Sequence, residues 1–211
     1  HISKSFGGSK ALSNVHFEME EGEVHALLGE NGAGKSTLMN ILTGVIPADS
    51  GKIIFMGKEY VTPTIKEMEN AGISFVHQEL NVINDLSVAD NIFLRKELKT
   101  KLGLIDEKEQ IKKTKELFES LGVEMNPSEM VSNLKTSEKQ LLEICKALYS
   151  DAKLLILDEP TTALSNDEID HLFGILNRLK KTGKSFVFIS HKMPEIFAIA
   201  DRYTVFRNGQ F

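Results

Sequence analysis

Residues 29–36 read Gly-Glu-Asn-Gly-Ala-Gly-Lys-Ser and fit the pattern G-x-x-x-x-G-K-[ST] at every fixed position. The short apolar run of residues 24–28 precedes this stretch, and residues 35–42 have the pattern of a helix. Glycines allow positive φ angles and keep side chains away from backbone N–H groups, which can then face a phosphate. The start of a helix adds unpaired N–H donors and a favourable dipole. The stretch therefore predicts a phosphate-binding loop between a strand and a helix.

Two side chains at the end of this loop supply charge and a metal ligand. We expect Lys35 to place its ammonium near the β- and γ-phosphates of a nucleotide, and the Ser36 hydroxyl to bind Mg²⁺. The candidate nucleotide-binding residues of the loop are Gly29, Glu30, Asn31, Gly32, Ala33, Gly34, Lys35, Ser36 and Thr37. A chance match to the pattern is the alternative, and the strand before the loop and the helix after it disfavour a coincidence.

An acidic pair follows a second strongly apolar run. Residues 154–157 read Leu-Leu-Ile-Leu, and Asp158 and Glu159 come directly after them. Ligands of open α/β sheets bind at the carboxyl ends of the strands, where this pair would lie. We expect Asp158 to hold Mg²⁺ through water and Glu159 to orient or deprotonate an attacking water. A plain strand that ends in an acidic turn is the alternative, which the upstream phosphate loop disfavours.

Strand and helix patterns alternate along most of the chain, which predicts an α/β fold. We expect a P-loop NTPase core with a mixed sheet flanked by helices, an antiparallel β portion and an inserted α-helical subdomain. That subdomain is predicted at about residues 84–134, where the chain is heavily charged and helical in pattern. We predict that residues 1–211 form a single nucleotide-binding domain and that the chain is truncated at both ends.

Several helix starts carry a capping pattern, in which a residue with a short polar side chain precedes an acidic residue or Gln by three positions. These predicted pairs are Thr64 with Glu67, Ser87 with Asp90, Asp106 with Glu109, Ser137 with Gln140, and Ser165 with Glu168. The helix after Asp106 is predicted to bury one apolar face. That face consists of Ile111, Leu117, Phe118 and Leu121.

The composition disfavours several classes of protein. The chain carries 25 basic and 30 acidic side chains, for a formal net charge of -5, which argues against a nucleic-acid partner. The single cysteine, Cys145, rules out an internal disulfide, fits a reducing cytosol, and is expected to pack in the core. No apolar run approaches the roughly 18 residues that a membrane-spanning helix needs, and no signal peptide is visible.

Three further segments carry a family resemblance. Residues 158–164 read Asp-Glu-Pro-Thr-Thr-Ala-Leu, residues 76–79 read Val-His-Gln-Glu, and His191 follows an Ile-Ser pair. In this order they resemble the segment after the Walker B strand, the Q-loop and the switch histidine of the ABC ATPases. The resemblance implies ATP as the nucleotide, Gln78 as a contact of Mg²⁺ and the attacking water, and His191 as a contact of the γ-phosphate. It also implies that Phe6 stacks on adenine, with core packing as the alternative.

One stretch is similar to a subgroup of this family, the ATPases of carbohydrate importers. Residues 77–81 read His-Gln-Glu-Leu-Asn, and residues 86–94 read Leu-Ser-Val-Ala-Asp-Asn-Ile-Phe-Leu. In that subgroup two nucleotide-binding domains lie in tandem on one chain, and this chain looks like the N-terminal one. The resemblance implies that ATP hydrolysis powers import of a sugar or related small solute. The implied partners are that second domain, transmembrane permease subunits and, indirectly, a solute-binding receptor, with the chain peripheral to the cytoplasmic face of the cell membrane.

The chain departs from the family at the segment offered to a partner domain. The signature Leu-Ser-Gly-Gly-Gln is expected before the helix near Leu141, but residues 134–138 read Leu-Lys-Thr-Ser-Glu. Lys135 is bulky, Ser137 narrows the backbone approach, and Ser165 replaces the family's D-loop aspartate. We therefore expect asymmetry. This chain supplies a complete phosphate-binding half-site, a partner with an intact signature completes it, and the reciprocal site is weak or inactive.

Three other functions stay open beside the transport ATPase. An ATP-binding switch module with little turnover agrees with Lys135 but has no need of Glu159 and His191. A soluble ABC ATPase acting in translation or DNA repair would be expected to carry extended inserts or basic faces, and neither is evident. A GTPase would carry an Asn-Lys-x-Asp motif, which does not occur in this sequence. The sequence thus favours a transport-coupled ATP hydrolase.

Overall fold

The computed structural model describes residues 1–210 as two compact units. The first unit comprises residues 1–75, 152–159 and the chain from Leu176 onward, and the second comprises residues 76–151 and 160–175. The strands are β1 (Ile2–Phe6), β2 (Ser9–Val15), β3 (Val24–Gly29), β4 (Ile53–Phe55), β5 (Lys58–Tyr60), β6 (Ile73–Val76), β7 (Leu154–Asp158), β8 (Ser185–Ile189) and β9 (Arg202–Phe206). The helices are α1 (Lys35–Leu42), α2 (Ile65–Ala71), α3 (Val88–Ile92), α4 (Glu107–Leu121), α5 (Thr136–Tyr149), α6 (Asn166–Lys180) and α7 (Met193–Ile199). Within residues 1–210, no helix combines the length and apolar composition that crossing a bilayer requires.

A five-stranded sheet forms the centre of the first unit, in the order β6-β7-β8-β3-β9. The pairs β7–β8, β8–β3 and β3–β9 are parallel. Strands β3, β7 and β8 are mostly apolar and are buried along almost their whole length, as expected for a parallel sheet covered on both faces. The register aligns Leu27 with Ile189 and Ile189 with Asp158, so β3, β8 and β7 end at the same edge.

The antiparallel portion consists of two hairpins with two-residue turns. Strands β1 and β2 are joined by Gly7 and Gly8, and strands β4 and β5 by Met56 and Gly57. All four turn residues have positive φ, which matches the right-handed twist of the strands that they connect. With the parallel sheet and the helices, these hairpins confirm the predicted α/β fold class.

Helix α1, which directly follows the phosphate loop, packs against the sheet of the first unit. It buries Leu38, Met39 and Ile41 in a cluster that also contains Leu27 and Val187 of the sheet. Each such buried side chain contributes about 1.5–3 kcal/mol of hydrophobic stabilisation. The start of α1 is therefore fixed relative to the ends of β3 and β8.

Helices α3, α4 and α5 lie in the second unit, together with the first part of α6. Their predicted starts are confirmed where Ser87 accepts a hydrogen bond from the Asp90 N–H at 3.1 Å and Asp106 accepts one from the Glu109 N–H at 3.1 Å. The range predicted as a helical subdomain, about residues 84–134, lies inside this wider unit. Cys145 is fully buried on α5, which confirms its expected place in the core.

The buried face of α4 differs from the one that apolar periodicity predicts. Phe118 and Leu121 are buried as expected, whereas the other two predicted members are only partly buried. The face instead includes Gln110 and Thr114, which are 1% and 0% exposed. The Gln110 amide oxygen accepts a hydrogen bond from the Leu98 N–H at 3.1 Å. A buried amide is tolerated there because its hydrogen bonds are made within the unit.

Candidate nucleotide-binding site

Backbone packing requires glycine at both ends of the phosphate loop. Gly34, the residue before α1, has a φ of 109°, and a Cβ there would lie 2.8 Å from both the Ala11 carbonyl oxygen and Leu12 Cδ2. A Cβ on Gly29 would overlap the carbonyl oxygen of Phe206. Both glycines also have φ in the region that side chains disfavour. The path of the loop is therefore set by its contacts with β2 and β9.

Main-chain hydrogen bonds hold the same loop against a turn near the end of the described chain, and we call this turn the seat of the loop. The Gly209 N–H donates to the Ala33 carbonyl at 2.9 Å, and the Ser13 N–H donates to the Gly209 carbonyl at 2.9 Å. Sequence reasoning missed this seat because an eight-residue motif carries no information about distant contacts. The one signal available was the Asn208-Gly209 dipeptide, which is typical of a tight turn.

Lys35 bends back over the loop that precedes it. Its Nζ donates to the Gly29 carbonyl at 2.7 Å and to the Glu30 carbonyl at 3.1 Å. An ammonium has three N–H donors, so these two bonds leave one donor for a phosphate oxygen. Ser36 is exposed beside it. The loop thus presents a positive charge, a hydroxyl and free helix-terminal N–H groups, which together suit a polyphosphate and its magnesium.

The acidic pair lies at the carboxyl edge of the sheet, where β7 ends. Asp158 is the last residue of β7 and is in register with Ile189 of β8. Glu159 follows with a φ of 49°, and its N–H donates to the Ile189 carbonyl at 2.9 Å. A non-glycine residue in this left-handed conformation costs about 1–2 kcal/mol. Strain of this kind is characteristic of residues held in place for function.

Glu159 and His191 are joined by a hydrogen bond. His191 Nδ1 lies 2.8 Å from Glu159 Oε1, and the side chains are 76% and 13% exposed, respectively. An ionised carboxylate only accepts hydrogen bonds, so Nδ1 carries the proton and the exposed ring is left with Nε2 for another partner. The sequence placed these residues 32 positions apart. The structure therefore brings together the predicted general base and the predicted switch histidine.

Gln78 and Phe6 are both exposed. Gln78 lies in the second unit, in a bend that follows β6. Phe6 ends β1 and is 49% exposed, so the core-packing alternative for this ring is wrong. The Lys4 ammonium lies 5.4 Å from the ring centroid. An exposed aromatic face is available for stacking, and the roles of Phe6 and Gln78 stay predictions.

The segment that diverges from the family signature begins α5, but not as the capping pattern predicted. The proposed cap by Ser137 and Gln140 is wrong, because the helix already begins at Thr136. The Glu138 carboxylate accepts a hydrogen bond from the Lys135 N–H at 2.7 Å. The pattern failed because this segment offers more than one side chain that can accept a capping hydrogen bond, and their spacing alone does not decide between them. The helix start is intact although the segment has lost its glycines.

Ser165, at the position of the family's missing aspartate, caps α6 as predicted. Its hydroxyl accepts a hydrogen bond from the Glu168 N–H at 3.4 Å, and the Ser165 N–H donates to the Glu168 carboxylate at 2.8 Å. Bonds from the Ser165 N–H and hydroxyl, and then from Ser137, lower the pKa of Glu168. Ser137 and Ser165 therefore both favour the ionised form of Glu168 in the second unit.

Comparison with known proteins identifies the family. Residues 12–162 match the family model described as ABC transporter. The chain belongs to the ABC transporter family. It is 50% identical over 208 residues to the ribose import ATP-binding protein RbsA of Lacticaseibacillus paracasei, and 50% identical over 209 residues to that of Bacillus licheniformis. Each alignment covers 99% of this chain but only 42% of the relative, so the chain spans less than half the length of these proteins.

Solved structures show the same fold. The ADP conformation of MJ1267, an ATP-binding cassette of an ABC transporter, superposes with a TM-score of 0.86 at 27% identity, over 99% of this chain and 86% of that one. The structure of cbiO1 from Clostridium perfringens, part of the ABC transporter complex cbiONQ, gives 0.84 at 25% identity, over 99% and 83%. The predicted family and fold class are confirmed.

Proposed function

We propose that this chain is the ATP-hydrolysing, N-terminal nucleotide-binding domain of a tandem ATPase that powers a sugar importer. Two observations support the sugar and the tandem arrangement. The relatives reported above are ribose import ATP-binding proteins, and they have more than twice the length of this chain. The resemblance of residues 77–81 and 86–94 to the ATPases of carbohydrate importers agrees with their names.

ATP would bind at the phosphate loop of the first unit. The backbone N–H groups of residues 29–37 and the Lys35 ammonium would hold the phosphates, and Phe6 would stack on the adenine. Ser36 and Asp158 offer the hard oxygen ligands that Mg²⁺ prefers, with Gln78 as a further ligand. Bound magnesium would neutralise charge that develops on the phosphate oxygens.

The Glu159–His191 hydrogen bond carries the proposal of hydrolysis. Glu159 accepts the Nδ1–H of His191 at 2.8 Å, which holds one carboxylate oxygen in a fixed direction. The carboxylate would orient or deprotonate the attacking water. The His191 ring would present Nε2 to the γ-phosphate. A module that only binds ATP needs neither group, and this favours turnover over a pure switch.

The partners follow from the same proposal. A second nucleotide-binding domain would complete the site, and transmembrane permease subunits would receive the motion, with a solute-binding receptor acting indirectly. The chain would lie at the cytoplasmic face of the membrane as a peripheral subunit, with no nucleic acid. Lys135 in the diverged signature keeps a switch module as the second candidate function.

Turnover of Mg-ATP by the tandem protein tests this proposal. Glu159→Gln keeps the size of the side chain but removes the base, so we expect a loss of kcat of about 10²–10⁴-fold with nucleotide binding retained. Glu116→Gln, an exposed change on α4, is the control. Equal turnover in the Glu159 variant and the control would show that hydrolysis does not depend on Glu159, and this would favour the switch as the function of this chain.

A further inference from the structure

The loop between α3 and α4 exposes a group of apolar side chains. Leu102 is 87% exposed, Leu104 67% and Ile105 54%. Among the large apolar residues that the structure describes, Leu102 is the most exposed. A single exposed leucine is ordinary, but three such side chains within four positions form a patch of the kind that marks contact with a partner or a membrane.

Hydrogen bonds give this loop the shape of a hairpin. The Asp106 N–H donates to the Leu98 carbonyl at 2.8 Å, and the Thr100 N–H donates to the Leu104 carbonyl at 2.8 Å. The base of the hairpin is held by buried Gln110 of α4, whose amide oxygen accepts a hydrogen bond from the Leu98 N–H at 3.1 Å. The apolar side chains are therefore carried on a supported projection of the second unit.

Residues 95–105, which we call the basic loop, are positively charged although the whole chain is acidic. Four basic side chains and one acidic side chain give the loop a formal charge of +3, whereas the whole chain carries -5. The basic residues are all exposed, and they are Arg95, Lys96, Lys99 and Lys101. The acidic residues that follow the loop belong to the start of α4, where they favour the helix dipole. Positive charge and exposed apolar surface therefore coincide on one hairpin.

The first residue of the basic loop has a strained backbone. Arg95 has a φ of 67°, in the left-handed region that is unstrained for glycine but disfavoured for other residues. Its N–H donates to the Glu97 carboxylate at 2.9 Å, which holds this conformation in place. An arginine here adds positive charge at a cost in stability, and strain of this kind is characteristic of segments with a function.

The β4–β5 hairpin of the first unit also exposes apolar surface, but its lysines are engaged. Ile54 is 63% exposed. Lys52 forms an ion pair with Glu59 at 2.6 Å, and the Lys58 ammonium lies 4.8 Å from the centroid of the Tyr60 ring. Within residues 1–210, by contrast, no lysine of the basic loop forms an ion pair. The basic loop therefore has charge to offer to an external anionic surface.

We propose that the basic loop contacts a bilayer that contains anionic lipids. Its basic side chains bind the lipid headgroups, while Leu102 and Leu104 enter the boundary between headgroups and acyl chains. A projecting tip suits a bilayer better than a protein partner, because lipids accept side chains without a preformed pocket. The proposal rests on the proposed function for the presence of a membrane beside this chain.

Binding of the full-length tandem protein to protein-free vesicles tests the proposal. We expect the protein to sediment with phosphatidylcholine vesicles that contain about 30% phosphatidylglycerol, and pure phosphatidylcholine or about 0.5 M salt to weaken binding about 10-fold or more. Leu102→Ser combined with Leu104→Ser is expected to weaken binding about 10-fold, and so is Lys99→Gln combined with Lys101→Gln at low salt.

A matched control uses exposed apolar residues outside the basic loop. Ile54→Ser combined with Val61→Ser removes two side chains that are similarly exposed, and we expect vesicle binding to stay unchanged. Turnover of Mg-ATP without vesicles is expected to stay constant in all three double variants, and this verifies that they fold.

Three outcomes overturn the proposal. They are no binding of the parent protein to anionic vesicles, equal binding by the parent and both basic-loop variants, and binding only to vesicles that contain the permease subunits, which would assign the loop to a protein partner. Turnover that does not depend on Glu159 would count against the proposed function and leave vesicle binding unchanged, so the two failures are distinguishable.

Discussion

The phosphate loop and the segment 134–138 both correspond to glycine-containing motifs of the family, and the chain keeps the glycines in the first and lacks them in the second. In the loop, Gly29 and Gly34 cannot carry a Cβ without striking neighbouring main chain or side chain. In the segment, Lys135 and Ser137 stand where the family has a serine and a glycine. The helix start after the segment is nevertheless intact, because Glu138 accepts the Lys135 N–H.

The difference separates glycine required by the fold from glycine required by a partner. The loop glycines are fixed by contacts within the chain, and their loss would disturb the first unit itself. The glycines of the signature are not needed to begin α5, because the helix starts at Thr136 without them. We infer that the half-site this chain uses is retained, and that the half-site it offers to a partner is degraded.

The largest effect is expected at the retained half-site. His191→Ala removes the N–H that orients Glu159, and we expect kcat to fall about 10²-fold or more while the Kd for ATP stays within a few-fold. His171→Ala, which removes an exposed histidine of α6, is the control. Single-turnover hydrolysis and equilibrium nucleotide binding are the measurements. Unchanged kcat in the His191 variant would show that the hydrogen bond has no role in turnover.

The loop glycines give the next largest effect. Gly34→Ala introduces a Cβ at 2.8 Å from the Ala11 carbonyl oxygen, and we expect a loss of about 2–4 kcal/mol in the free energy of unfolding, together with weaker ATP binding. Gly32→Ala is the matched control. Its φ is also positive but its Cβ would meet nothing within 4 Å, so about 1 kcal/mol is expected. Denaturant unfolding of both variants measures this, and equal costs would contradict the packing explanation.

A smaller change is expected from repairing the diverged segment. Lys135→Ser combined with Ser137→Gly restores the family residues at two positions of the segment. We expect turnover by the tandem protein to rise by up to a few-fold, because the reciprocal site, to which this segment contributes, gains activity. Nucleotide binding at this chain's own loop is expected to stay constant. If turnover does not rise, the reciprocal site is inactive for a reason other than this segment.

The smallest effect is expected at Ser165. Ser165→Ala removes the cap of α6, at a cost of about 1 kcal/mol in the free energy of unfolding. The lowered pKa of Glu168 means that its stabilising bonds are present above the ordinary carboxyl range and are lost as the pH falls. The cost is therefore expected to be greater at neutral pH than in acid. Thr64→Ala, at the equivalent cap of α2, is the reference and is expected to show the same trend, because bonds from Thr64 likewise lower the pKa of Glu67. A cost of Ser165→Ala that is independent of pH would contradict the role of Glu168 in the cap.

Much of the fold and the candidate site could be predicted because the deciding signals are local. The phosphate loop, the apolar strands and most helix caps each occupy fewer than ten residues, so short-range chemistry is enough to specify them. The acidic pair was placed correctly at the carboxyl end of its strand for the same reason.

The misses share a cause, which is that distant contacts decide them. Apolar periodicity could not reveal that Gln110 is buried, because its hydrogen bonds come from residues outside its helix. Ser137 does not cap α5, and it instead contributes to the lowered pKa of Glu168, 31 positions later. The positive φ of Glu159 likewise has no sequence signal. Such features depend on which segments meet, and a single sequence does not state that.

The seat of the phosphate loop has a consequence for how the protein is made. The loop is synthesised early, at residues 29–36, but Phe206 pairs with Gly29 and Gly209 bonds to both Ala33 and Ser13. These supports leave the ribosome about 170 residues after the loop itself. A nascent chain that has already exposed its complete nucleotide motif therefore lacks the loop's seat until β9 and the turn after it have emerged. We therefore expect nucleotide binding to be acquired only after β9 and the following turn have emerged, and not when the motif itself appears.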